Sequence, residues 1–299
     1  MKNNILSSYR HLCVLIIFLQ CFSFSAESNQ PKIVYLISMP RACSTACLRM
    51  MEASGEFLVM NEPAIYPFVT KNIADRQLTQ GWFRKPSYET FDEMKQHILK
   101  LAVESNVFIK EICFLAEDFL LNDDEFVANP NIQFVFLIRN PHNSIISYYK
   151  KYLRIVPNFS YYIGCRSSCT IYQAIKNKAK NPIIILSAED LCNNSRATAQ
   201  QLFSSLSIQF HDECLHWENL GDDFSGVSEW NEVKISEKLY HWHDHAIYST
   251  GFEPITENRT DAEGKPTFEE IANDSDKIEC IKMYHENYSF YHLLLHEKS

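Results

Sequence analysis

Five short apolar runs recur along the chain, each closed by a polar or turn-forming residue. They cover 33–37, 57–60, 107–110, 132–138 and 183–186. The runs at 33–37 and 132–138 are apolar at nearly every position instead of alternating, which marks strands buried on both faces. Between and after the runs come stretches that read as helices: 44–53 (ending near Gly55), 66–79, 90–104, 142–153, 195–206, 236–248 and 274–296. Strands alternating with helices predict right-handed crossovers, hence an α/β domain with a central parallel sheet flanked by helices. Sequential strands are usually neighbours, so strand two is expected beside strand one. No internal repeat and no Gly/Pro linker divides the chain, so residues 30–299 read as a single domain.

Two strand ends carry the chemistry. After the first strand comes Pro40-Arg41-Ala42-Cys43-Ser44-Thr45. Pro40 breaks the strand, Arg41 offers a forked cation, and Ser44 and Thr45 can cap the next helix and donate to an oxyanion. After the fourth strand comes Arg139-Asn140-Pro141, with Ser147 two turns into the following helix. A helix N-terminus with a fixed cation and hydroxyl donors is an anion site. Two of them suggest a ligand with phosphate groups at both ends. The plainer alternative makes Ser44 a helix cap, Arg41 and Arg139 surface cations, and Ser147 a helix-face serine. The loop is not a nucleoside-triphosphatase P-loop, since it lacks the Gly-x4-Gly-Lys-Ser/Thr pattern. Two further residues end strands at the same edge. Glu62 is placed to take a proton from a hydroxyl, and Lys110 to stabilise developing negative charge. With strand two beside strand one, Glu62 would stand across from Arg41. The alternative reading of both is a surface charge.

Net charge −9 and pI near 5.7 argue against general nucleic-acid binding but allow a small anionic ligand held by local arginines. The first 25 residues read as a secretory signal: Lys2 and Arg10, then the apolar stretch 12–22, then Ser23-Phe24-Ser25. The alternative is an uncleaved anchor, but a bilayer span needs about 20 apolar residues. Cleavage would start the mature chain near Ala26 or Glu27 and leave no membrane-bound segment. Of ten cysteines, Cys13 and Cys21 lie in the leader, which leaves eight. Cys165 and Cys169, in a stretch that reads as a polar loop, are the best local disulfide candidates. Asn-x-Ser/Thr patterns at Asn158, Asn193, Asn258, Asn273 and Asn287 lean toward a glycosylating secretory pathway. His241, His243 and His245 invite a metal reading, but no third ligand accompanies the helical pair His241 and His245, so no metal is expected.

Taken together, Pro40-Arg41-Ala42-Cys43-Ser44-Thr45 and Arg139 with Ser147 resemble the sulfotransferase family. Ser187-Ala188-Glu189-Asp190-Leu191 is similar to a Tyr-Glu-Asp-Leu segment of relatives. The resemblance runs over about 33–210 and lies closest to the tyrosylprotein and bacterial branches. It implies a P-loop-like three-layer fold. It also implies 3′-phosphoadenosine-5′-phosphosulfate as co-substrate, its 5′-phosphosulfate on residues 40–45 and its 3′-phosphate on Arg139 and Ser147. Glu62 would then be the base, with Arg41 and Lys110 assisting, and the acceptor a hydroxyl of a small molecule, glycan or protein. The segment Ser249-Thr250-Gly251-Phe252 would close over the nucleotide. Two departures stand out: Cys43 replaces the usual loop glycine, and Ala188 replaces the tyrosine. Alternatives are a catalytically silent secreted binding protein on the same fold and a kinase-like nucleotide-binding enzyme. The expected location is a secretory lumen, or a periplasm in a bacterium.

Overall fold

The computed structural model describes residues 32–71, 88–152, 155, 158–219, 248–255, 260–261 and 265–298. The stretch 1–25 read as a leader, the end of the helix predicted over 66–79, residues 236–247 of the helix predicted over 236–248 with its three histidines, and Asn258 lie outside the described residues.

In chain order the elements begin with β1 (Ile33–Ser38), α1 (Ser44–Ala53), β2 (Leu58–Asn61) and α2 (Ile65–Lys71). There follow α3 (Phe91–Glu104), β3 (Val107–Ile112), α4 (Cys113–Asn122), β4 (Ile132–Ile138) and α5 (Pro141–Tyr152). The chain continues through α6 (Cys165–Ile175), β5 (Ile184–Ser187), α7 (Ser195–Ser205) and α8 (Asp274–His296). Short helical turns at Asp124–Val127, Phe159–Tyr162, Ala188–Asn193 and Asp212–Leu215 link some of them.

All five strands are parallel, in the order β2-β3-β1-β4-β5. Every residue of β1 and β4 is buried. That burial needs helices on both faces, giving a three-layer α/β fold. The expected adjacency of strands one and two does not hold, because β3 lies between them. The lengths explain it. All six residues of β3 pair with β1, Ile33↔Val107 to Ser38↔Ile112, whereas β2 has only four residues to pair and takes the edge, where short strands belong.

Local chemistry sets the helix ends. Thr90 accepts Glu93 N–H at 3.2 Å while the Glu93 carboxylate accepts Thr90 N–H at 3.1 Å, a capping box that starts α3. The loop expected at Cys165 and Cys169 is instead helix α6. Both cysteines are buried and free; all eight described cysteines are free, and all but the half-buried Cys43 are buried. Cys165, Ser168, Cys169, Tyr172 and Ile175 recur at helical spacing and face inward.

Candidate anion and base site

The turn after β1 is strained where it matters. Among the described residues, five non-glycine residues take positive φ, and Arg41 (61°), Cys43 (59°) and Glu62 (50°) are three of them. Strain of this kind concentrates at functional sites. Cys43, not Ser44, is the N-cap of α1, and no side chain caps the helix there. The loop rests on the start of α6. Cys165 Sγ lies 3.7 Å from Met39 Sδ, and a Cβ added to Gly164 would come within 2.6 Å of Pro40 Cδ. Gly164 (φ 83°) is therefore required by both its conformation and the close approach of Pro40.

The two arginine loops meet. Arg41 Nε donates to Ser147 Oγ at 3.0 Å, and Arg139 Nη1 donates to the Arg41 carbonyl. Arg41, Arg139 and Ser147 thus form one connected group across neighbouring strands β1 and β4. Arg139 Nε is buried with no hydrogen-bond partner. A buried unpaired guanidinium N–H is costly, by about 1–3 kcal/mol, unless a ligand satisfies it.

Glu189 holds the second loop in place. Its Oε1 accepts Asn140 N–H and Asn143 Nδ2–H, each at 3.1 Å, and its Oε2 accepts Ser187 Oγ–H at 3.1 Å. Sequence reading gave Glu189 no role. Its one mark in the sequence was its place in the segment similar to Tyr-Glu-Asp-Leu, which names no role for it. Ala188 is fully buried.

The Cys43 thiol is brought down to about 7 by a hydrogen bond with Cys192 and, against burial, by the nearby Arg139 and Arg41 charges, while Cys192 is pushed up. A cysteine whose thiol is lowered beside two arginines matches the electropositive microenvironment of a reactive thiol.

Glu62 and Lys110 are both buried and form a direct ion pair. Neither is the surface charge that the plain alternative supposed. Glu62 follows β2 directly, and its N–H donates to the Lys110 carbonyl at 2.7 Å. With β3 between, the strand ends that lead to Glu62 and Arg41 stand about 10 Å apart, two strand spacings. Lys110, on the intervening strand, pairs in register with both Asn61 and Leu36. Asn61 is buried with neither its Oδ1 nor its Nδ2 partnered, a second orphan at this end of the sheet that sequence reading did not single out. The segment 249–252 packs on Trp217. Trp217 N–H donates to the Thr250 carbonyl at 3.2 Å, and the Trp217 and Phe252 rings lie 5.2 Å apart.

No family model and no curated protein matches the chain. Among solved structures it is similar to the sulfotransferase domain from the curacin biosynthetic pathway. That likeness has 16% identity and a TM-score of 0.40, over 87% of this chain and 98% of that one. It is similar also to the sulfotransferase domain from the Synechococcus PCC 7002 olefin synthase (14%, TM-score 0.41, 85% and 94%). A third is the sulfotransferase from Alicyclobacillus acidocaldarius (11%, TM-score 0.37, 62% and 85%). At such identities and TM-scores, function has to be read from this chain's own residues.

Proposed function

We propose that the chain transfers a sulfuryl group from 3′-phosphoadenosine-5′-phosphosulfate to an acceptor hydroxyl. The observation that carries this reading is the convergence of Arg41, Arg139 and Ser147, with Arg139 Nε buried and unpaired. Such a donor set fits a dianionic phosphate, because guanidinium groups bind it in a forked geometry and hydroxyls complete its shell. The uncapped first turn of α1 adds backbone N–H donors for the phosphosulfate.

In this reading Glu62 accepts the proton of the acceptor hydroxyl as its oxygen bonds to sulfur, and the bisphosphorylated nucleotide departs with the electrons of the broken S–O bond. Lys110 balances the Glu62 charge before transfer, and Asn61, with a free donor and a free acceptor, orients the acceptor. Positioning and charge stabilisation supply most of the rate, as in phosphoryl transfer. On the reading of residues 1–25 as a secretory signal, the transfer belongs in a secretory lumen, which requires imported donor.

A titration tests the reading. The chain should bind 3′-phosphoadenosine-5′-phosphate well above adenosine monophosphate, with a gain of about 2.7 kcal/mol in stability at 100 times the dissociation constant. Arg139→Ala should abolish the preference. Equal affinity of the unmutated chain for the two nucleotides would overturn it. Binding without turnover on any hydroxyl acceptor would instead support the silent binding protein.

A further inference from the structure

Glu111 is fully buried. It follows Lys110 in β3, so the two side chains leave the sheet on opposite faces. Its Oε2 accepts Ala64 N–H at 2.8 Å and its Oε1 accepts Ile112 N–H at 2.9 Å. The carboxyl group thus stitches the bend after β2 to the end of β3. Glu62 occupies that bend in the left-handed region, held also by Ile65 N–H donating to the Glu62 carbonyl at 3.1 Å. Three titratable groups act on Glu111 through their charge or their own titration: Glu62 from the bend, Lys110 from the opposite face of its own strand, and Tyr35 from β1, whose hydroxyl is buried and unpartnered. Two carboxyls and one ammonium, all removed from water, reach neutrality only when one carboxyl keeps a proton.

We propose that Glu111 is a positioning residue for the Glu62–Lys110 pair: it fixes the Glu62 bend against β3 and keeps the one proton that makes this buried set neutral. The catalytic part of the proposal rests on the reading of Glu62 as the base. The direction of titration agrees with the geometry. Burial first, then the Glu62 charge, pushes the Glu111 carboxyl from 4.5 to about 8, against the opposing pull of the two N–H bonds and Lys110. A carboxyl raised in the folded state binds more protons there than in the unfolded chain. Its contribution to stability is therefore full below about 4.5, declines as pH rises toward about 8, and is lost above it.

The test uses the full chain without nucleotide. Carboxyl-carbon NMR of the unmutated protein should show one glutamate titrating near pH 8, and Glu111→Gln should remove it. In Glu62→Gln the same titration should move to lower pH, since one of its causes is gone. In thermal unfolding between about pH 5 and 9, the unmutated chain should lose stability relative to Glu111→Gln as pH rises. A spectrum of the unmutated chain with no glutamate titrating above the ordinary range would overturn the proposal, as would parallel unfolding curves. With donor and acceptor, Glu111→Gln should lower kcat by about 10²-fold, the cost of misplacing a reacting group by about 1 Å, with the donor KM unchanged. An unchanged kcat and pH profile would remove the positioning role. If the titrations appear as expected but the unmutated chain transfers no sulfuryl group, the proton-sharing set stands and the sulfuryl-transfer reading falls.

Discussion

At Cys43 the backbone adopts φ 59° and ψ 24°, the conformation glycine would favour. An L-residue there costs roughly 1–2 kcal/mol. Cys43 thus holds a backbone shape that glycine would take at lower cost and adds a side chain to it. The side chain brings a chemical handle. With its thiol near 7, Cys43 should be alkylated by iodoacetamide at about neutral pH well before Cys47 or Cys113, which burial pushes up to about 12 and about 11. Bound bisphosphorylated nucleotide should slow the reaction. Peptide mapping of labelled protein checks both points, and labelling of Cys47 ahead of Cys43 would contradict the assignment. Arg41 and Arg139 stood out in the sequence because each closes an apolar strand, and Ser147, inside α5, stood out through the motif resemblance. Glu111, Glu189 and Asn61 did not. Nothing in a linear pattern separates a buried glutamate with backbone partners from a solvated one, and their roles exist only once β2, β3, β4 and β5 are side by side.

Among elements, the seat beneath the first loop makes the sharpest prediction. Gly164 precedes α6 and leaves no room for a methyl group, with Cys113 Sγ 2.8 Å and Pro40 Cδ 2.6 Å from the Cβ position. Gly164→Ala should cost about 1–3 kcal/mol through overpacking and weaken nucleotide binding by displacing Pro40; denaturant unfolding and the nucleotide titration measure each effect. Strand positions were well read: β4 spans 132–138 as expected, and β1, β2, β3 and β5 lie within a residue or two of expectation. Uniform apolarity in a parallel sheet is a strong local signal. Helices α1 and α8 also appear with the expected bounds. Helix α4 was missed because 113–122 is apolar nearly all round, and α6 because its first turn is cysteine- and serine-rich, which mimics a loop. Strand order was misjudged because the chain pattern holds no record of which strands pair.

Over the whole molecule, α8 closes the fold. Tyr149 of α5 donates to Asp276 at 2.8 Å, Tyr172 of α6 donates to Glu297 at 2.9 Å, and Lys298 pairs with Asp190. Asn287 is buried in this helix, its Nδ2 donating to Ser160 Oγ and the Met283 carbonyl, each at 3.0 Å. The glycosylation reading of that position is therefore corrected, because a folded chain has no room for a glycan there. Asn158, exposed in a left-handed turn, keeps its reading. Expressed through a eukaryotic secretory pathway, the chain should carry sugar at Asn158 and none at Asn287, and glycopeptide mass spectrometry distinguishes the two. The edge position of β2 has a consequence for how the molecule breathes and changes. Arg41, Arg139 and Ser147 hang from β1 and β4, which are flanked on both sides, whereas Glu62 and Asn61 hang from a four-residue strand bonded on one side. Peripheral strands open at lower free energy than central ones. The half of the site that would meet the acceptor can therefore loosen, or be rewritten by mutation, while the half that would grip the nucleotide stays closed. On the proposed reading, such a scaffold would exchange one acceptor for another without rebuilding its donor grip.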